Sequence, residues 1–263
     1  MKKDEISKIN DFMMEKNLVT REELLSFILK INPERNSSYL RFYLIDLIKA
    51  NVLHKFNDRK FKYNGKLKPF SYEYTKSDLL LQSKIEDRFD NLDICIWNTG
   101  FLSLYLNLMP IDYYTIVETN KQYLELVFDF LKHDYNVLLE PNKKELEFYM
   151  HKENQIILKK LNTRAPLDKP YNSKIAANVH ISRSSRIVFK PSIEKILVDI
   201  YAESSTYSFY SELNHIFEGA LKAYCVNFQK LFYYAKNRGI YEEISKFVEN
   251  ELSYDLNRGE FRC

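Results

Sequence analysis

Three carboxylates stand where a metal-dependent nuclease would hold a magnesium ion. Asp93 begins a buried-looking apolar run, and Glu118 and Glu140 close two others. Hard cations take oxygen ligands, and acids at strand ends can converge on one. A restriction-type site also needs a lysine two residues after an acid, but Asn120 and Asn142 occupy those positions. Acids at strand ends also serve as helix caps or solvated termini, and that reading stays open beside the nuclease. Nucleotide chemistry lacks its loops, because the glycines stand singly at 65, 100, 219, 239 and 259. Neither GxGxxG nor GxxxxGK[ST] can be written, and GxSxG, HExxH, the kinase signatures and the paired aspartates of a nucleotidyltransferase are missing too. His54, His133, His151, His180 and His215 are dispersed. Cys95, Cys225 and Cys263 form no CxxC pair, so neither a zinc site nor a disulfide framework is encoded. The expectation is a chain with no catalytic residues, no metal and no cofactor.

Binding chemistry is better represented. Residues 1–70 hold 15 Lys or Arg against 9 Asp or Glu, while the remainder is net −3. Within 30–70 the balance sharpens to 10 basic against 3 acidic. A compact segment at net +7 is the electrostatic footprint of a surface that meets phosphate, although an ordinary solvated face could carry it too. The basic side chains of 159–190 (Arg164, Lys169, Lys174, Arg183 and Arg186 among them) could form a second groove or a solvated loop.

The elements around the first basic cluster follow from spacing. Ile6, Ile9, Phe12 and Met13 put one apolar face on a helix over 4–16. Thr20, with Glu23 three residues later, is a capping box opening a second helix that Pro33 ends. After a short polar turn, Ser37 and Ser38 can cap a third helix burying Leu40, Tyr43, Leu44, Leu47 and Ile48. Ser38, Phe42 and Lys49 then face away, flanked by Tyr39 and Arg41. Two strand-like runs, 52–56 and 59–63, meet at a turn of Asn57 and Asp58, with Phe61 and Tyr63 on one face and Lys60 and Lys62 on the other. Three helices and a basic hairpin are the layout of a winged helix-turn-helix. DNA contacts are expected from Ser37, Ser38, Tyr39, Arg41 and Lys49 on the third helix, and from Lys55, Arg59, Lys60 and Lys62 on the wing. Winged helices also dock proteins, which leaves an adaptor role open.

The first domain is expected to span 1–66, with a linker over 64–71, and the second 71–263. In the second, strand and helix alternate: strands over 92–97, 113–118, 136–140 and 155–161, a helix around 77–89, one capped by Thr99 through Leu108, one from Thr119 through Lys132, and a short one opened by Pro141. Ile187 to Phe189 can add a strand, and from about 191 the pattern is helical, with Gly239 as a C-cap. The fold class is therefore α/β or α+β, multi-domain, with a helical C-terminal block.

The apolar fraction of 45% and the 20 Tyr and 18 Phe support a real core and exclude a disordered chain. The richest apolar stretch, 94–109, is broken by Asn98, Thr99 and Gly100, short of a membrane span. Residues 1–5 turn acidic where a signal peptide would be apolar. A cytoplasmic protein with no membrane partner is expected.

Two late segments carry a resemblance. One is Pro191-Ser192-Ile193-Glu194-Lys195-Ile196-Leu197-Val198-Asp199, and the other is Leu231 through Tyr234-Ala235 to Gly239. With the winged helix ahead of them, they resemble the AbiEi family of type IV antitoxins and transcriptional regulators. There a Pro/Ser-x-Glu-(Lys/Arg)-x-Leu-(Val/Leu)-Asp helix and a Leu-x-x-Tyr-Ala-x-x-x-Gly helix recur late in the chain. The resemblance implies a bacterial DNA-binding autorepressor of a toxin-antitoxin, abortive-infection type. Its partners would be operator duplex and a nucleotidyltransferase-like toxin or that toxin's RNA target, and the chain itself would not be catalytic. The strand-rich middle matches no quoted motif, so the targeted nuclease and the docking adaptor stand as alternatives.

Overall fold

A computed structural model of the chain describes residues 3–34, 37–50, 52–57, 59–63, 67, 69–89, 92–106, 113–149, 155–168, 188–207, 209–256 and 260–261. The N-terminal unit runs α1 (Lys3–Lys16), β1 (Leu18–Thr20), α2 (Arg21–Ile31), α3 (Ser37–Lys49), β2 (Leu53–Lys55) and β3 (Lys60–Tyr63). The capping box is formed as the sequence requires. Thr20 Oγ1 accepts from the Glu23 backbone N–H at 3.2 Å, and Glu23 accepts from the Thr20 backbone N–H at 2.7 Å. Ile9, Met13, Leu24, Ile28, Leu40, Tyr43, Leu44 and Leu47 close a core against Val19, Leu53 and Phe61. Phe12 and Phe27 stack at 4.0 Å between centroids and tie α1 to α2.

The three strands form an antiparallel sheet in the order β1-β3-β2. Strand β1 is an element that periodicity did not indicate. Three residues are too few for an alternation to register, and its identity comes from pairing Leu18, Val19 and Thr20 with Lys62, Phe61 and Lys60. Helix, strand, helix, helix and hairpin in that order form a winged helix.

The second unit follows as α4 (Lys76–Arg88), β4 (Ile94–Asn98), β5 (Thr115–Thr119), α5 (Leu124–Leu131), β6 (Asn136–Leu139), α6 (Lys143–Tyr149), β7 (Gln155–Lys160), β8 (Leu167–Asp168) and β9 (Val188–Pro191). The helical block is α7 (Ile193–Ala202), α8 (Leu213–Ala223), α9 (Phe228–Arg238) and α10 (Tyr241–Lys246), and a small ribbon of β10 (Tyr254–Asp255) and β11 (Glu260–Phe261) ends the chain. The sheet is six-stranded and mixed, in the order β6-β7-β5-β4-β9-β8. Strands β6, β7 and β5 run parallel, β4 is antiparallel to β5 and parallel to β9, and β8 is antiparallel to β9.

Both sheet faces are covered. Ile94, Ile96, Val117, Ile156 and Leu158 pack under α4 and α5 with Leu81, Ile85, Val127 and Leu131. Trp97, Ile116 and Ile157 lie on the opposite face against α7, α8 and α9. Burial on two sides makes the central strands read as near-continuous apolar runs instead of alternations.

Several helix starts differ from their sequence reading. Asn98, not Thr99, caps the first turn after β4, accepting from the Gly100 N–H at 2.7 Å, and that turn is a short 3-10 helix over Thr99–Leu104. Thr99 is buried, and its hydroxyl accepts from the Tyr114 N–H at 2.8 Å. Thr119 is the last residue of β5 and donates to the Asp93 carbonyl at 3.0 Å; a 3-10 turn over Lys121–Tyr123 precedes α5. Pro141 lies one residue before the cap of α6, where Asn142 Oδ1 accepts from the Glu145 N–H at 3.1 Å.

The linker expected over 64–71 is only partly within the described residues, and its C-terminal end is built into the second core. Phe70 packs edge-on to Phe101 and Tyr224, and the buried Tyr72 accepts from the Asn98 N–H at 2.6 Å. Leu108 and Ile187, at the ends of two expected elements, lie outside the described residues. Among the described residues no helix is long and apolar enough to cross a membrane.

Candidate nucleic-acid interface and a buried ion network

Helix α3 buries Leu40, Tyr43, Leu44 and Leu47, while Ile48, which the helical period placed on the buried side, lies at its edge and is exposed. Arg41 and Lys49 are exposed, and so are Phe42 at 65%, Tyr39 at 48% and Ile45 at 41%. Asp46 is the acid on the same outer side. Ser37 and Ser38 open the helix, and their side chains lie outside the described residues. The outward side of the helix is more apolar than a phosphate-contacting surface needs to be.

The wing is less open. Its turn is held by Asn57 Oδ1, which accepts from the backbone N–H groups of Arg59 at 2.9 Å and Lys60 at 2.8 Å; Asp58 lies outside the described residues. Arg59 is exposed at the tip. The face of the sheet carrying His54, Phe56 and Lys62 rests on the helical block. His54 Nε2 is 3.0 Å from the Val226 carbonyl, Phe56 meets Phe228 with centroids 5.2 Å apart, and Lys62 Nζ donates to the Tyr254 hydroxyl at 3.3 Å. Burial lowers the His54 pKa, against its bond to Val226, so the ring is neutral at neutral pH and donates to that carbonyl. Lys62 thus belongs to the contact between the two units. Lys55 and Lys60 are half-buried. Alternation alone identified Lys60 and Lys62 as a shared face, but which body covers it is a tertiary matter.

The residues of the two late motifs meet inside the second unit. Residues two apart on a strand share a face, and the pairing register sets Cys95 of β4, Glu118 of β5 and Lys159 of β7 in one row beneath α7. Lys195, fully buried, bonds both Glu118 and Asp199, the latter at 2.6 Å. Trp97 Nε1 donates to Glu118 at 3.1 Å. Asp199 also accepts from Tyr234 at 2.8 Å and from Arg238 at 2.7 Å, and Arg238 reaches Glu203 at 3.0 Å. Glu203 is paired in turn with Lys159.

Three cations and three carboxylates therefore compensate one another between sheet, α7 and α9. Burial pulls the Lys195 pKa down, but Asp199 and Glu118 overcome it and hold the ammonium well above the ordinary lysine range. Burial pushes Glu203 up, yet the charge of Lys159 and the hydrogen bonds around it leave that carboxyl below its ordinary value. Glu194 caps α9 from outside by accepting the Asn227 N–H at 2.8 Å. The network's sequence signal was a pair of charges, Lys195 and Asp199, one turn apart in a helix whose other residues, Glu194 aside, are apolar.

The acids considered for a metal are not brought together. Glu118 is committed to Lys195 and Trp97 within the core. Asp93 accepts from Asn120 Nδ2 at 3.3 Å, and Glu140 is exposed and accepts from the Lys160 N–H at 3.3 Å. Glu118 is not a solvated strand end, because β5 extends through Thr119 and its register turns Glu118 toward α7. No group of three His, Cys, Asp or Glu among the described residues could hold a metal ion. Lys169, Lys174, Arg183 and Arg186 of the expected basic groove lie outside the described residues. Arg164 donates to the Tyr233 hydroxyl at 2.9 Å.

A model of a family of unknown function, DUF6577, matches residues 39–254. None of the curated proteins matches the chain. Among solved structures, the chain is similar to one described as the crystal structure of RV2827C protein from Mycobacterium tuberculosis. The identity is 13% and the TM-score 0.37, over 97% of this chain and 79% of that one.

Proposed function

This chain belongs to the DUF6577 family of unknown function, and we propose that it is a DNA-binding transcriptional regulator of the antitoxin type. In this reading α3 enters the major groove of an operator in the chain's own promoter, and the wing tip meets the backbone. The observation that carries it is the outward side of α3, with Arg41 and Lys49 exposed on a winged-helix scaffold whose 30–70 segment is net +7. Cations in that position neutralise phosphates and release counterions, so affinity should fall steeply with salt. The antitoxin role rests on the resemblance of the two late helices. Since their shared polar residues are internal, a toxin of the nucleotidyltransferase kind, or its RNA target, would meet the outer surface of the second unit. Autorepression and toxin neutralisation would then be linked through the contact of His54, Phe56 and Lys62 with the helical block.

The test is fluorescence anisotropy of the full chain on its own promoter duplex and on a scrambled duplex, each at two salt concentrations. Preference for the promoter and a steep salt slope are expected, and exchange of Arg41 or Lys49 for Ala should reduce that slope by about one unit each. Equal, salt-insensitive affinity for both duplexes would rule the reading out. No observation favours the targeted nuclease over this, since Asp93, Glu118 and Glu140 face three different surroundings.

A further inference from the structure

The outer side of α3 is built for more than phosphate. Phe42 stands at its centre, 65% exposed, with Ile45 one turn along at 41% and Tyr39 one turn back at 48%. Arg41 and Lys49 lie on the same exposed side. A phenyl ring held in water beside guanidinium and ammonium groups costs free energy that only an apolar partner can return. The surrounding cations require that partner to be anionic at its rim.

We infer that Phe42 and Ile45 read the C5-methyl groups of thymine, so that the preferred duplex presents neighbouring thymines in the major groove where α3 lies. This rests on the DNA-binding reading above and specifies its substrate. Within the major groove the thymine methyl is the apolar group on offer, and phosphates line both edges. Residues 42 and 45 are separated by about 4.5 Å along the helix axis, somewhat more than one base step of about 3.4 Å. The two side chains therefore span adjacent bases. Asp46, one turn after Phe42, is repelled by phosphate and can accept from an amino group such as cytosine N4.

The experiment compares two duplexes of identical promoter sequence, one with thymine and one with uracil at every thymine position, which removes the methyl groups alone. The full chain should bind the thymine duplex more tightly, by about 4-fold for one methyl buried and about 15-fold for two. Phe42→Ala, at an exposed helical position where Ala is a good helix former, should lose most of that difference between the two duplexes. Circular dichroism identical to wild type excludes a folding defect. Equal wild-type affinity for two bound duplexes overturns the methyl reading and leaves the regulator intact. A thymine preference that survives Phe42→Ala overturns the assignment to this side chain. Absence of binding to either duplex overturns the DNA-binding reading, and the methyl reading with it.

Discussion

Replacing Lys195 with Met should unseat the centre of the second unit. The lysine is fully buried and serves two carboxylates at once. After the change Asp199 keeps Tyr234 at 2.8 Å and the Arg238 cation at 2.7 Å, whereas Glu118 keeps neutral donors alone, the Trp97 N–H at 3.1 Å and the Cys95 thiol. The loss therefore falls on one buried carboxylate without a counter-charge, for which about 3–5 kcal/mol is expected. Pairing Lys195→Met with Glu118→Gln removes the stranded charge and leaves an oxygen to accept from Trp97. The double variant should recover about 2–3 kcal/mol of that loss, a coupling that a double-mutant cycle isolates.

Trp97 is the sole tryptophan, is buried, and has its ring centroid 5.6 Å from Lys195 Nζ. Urea unfolding followed by its fluorescence reports on the network itself. The single variant also carries a pH signature. Burial pushes the Glu118 pKa above its ordinary 4.5, and without the lysine the shift grows. An acid whose folded pKa is raised is favoured in its protonated form, so that contribution is present at low pH and is lost as pH rises through the folded value. The deficit of Lys195→Met should thus shrink on acidification from pH 8 toward 5. A single variant within about 1 kcal/mol of wild type, or a double variant no better than the single, would refute the assignment of Lys195 as the counter-charge that Glu118 depends on.

Other substitutions probe other elements of the fold. Thr20→Ala removes the side-chain acceptor of the capping box and should cost about 1 kcal/mol, read by thermal unfolding of the winged helix. Gly239 closes α9 in the left-handed region at φ +76, with no atom in the way of a Cβ, so Gly239→Ala should cost only its backbone strain of about 1–2 kcal/mol. Phe56→Ala empties the contact with Phe228 and should cost about 3–5 kcal/mol. It should also separate unfolding of the winged helix from that of the second unit, resolved as two transitions by calorimetry. Glu203, whose folded pKa is lowered, contributes stability above pH 4.5 that is lost as pH falls through the folded value. Lys159→Met should flatten that acid limb in denaturant titrations at successive pH values.

Signals between near neighbours were enough to specify the three N-terminal helices and the hairpin that follows them. They are the Thr20–Glu23 box, the stop at Pro33, and a third helix whose buried and outward sides separate at 100° per residue. The side of α3 that faces out was legible in the same way, Ile48 excepted, because it follows from helical period. Features that depend on distant partners were not legible. Strand β1 exists only through its pairing with β3, and Lys62 looks like a solvated wing lysine until Tyr254, 192 residues away in sequence, covers it. Glu118 looks like a strand-end ligand until the register turns it inward to a lysine 77 residues later. Period and capping are fixed by neighbours within a turn. The partner of a charge is fixed by which distant element packs on its face, and a buried charge settles wherever its counter-charge is brought within hydrogen-bond reach.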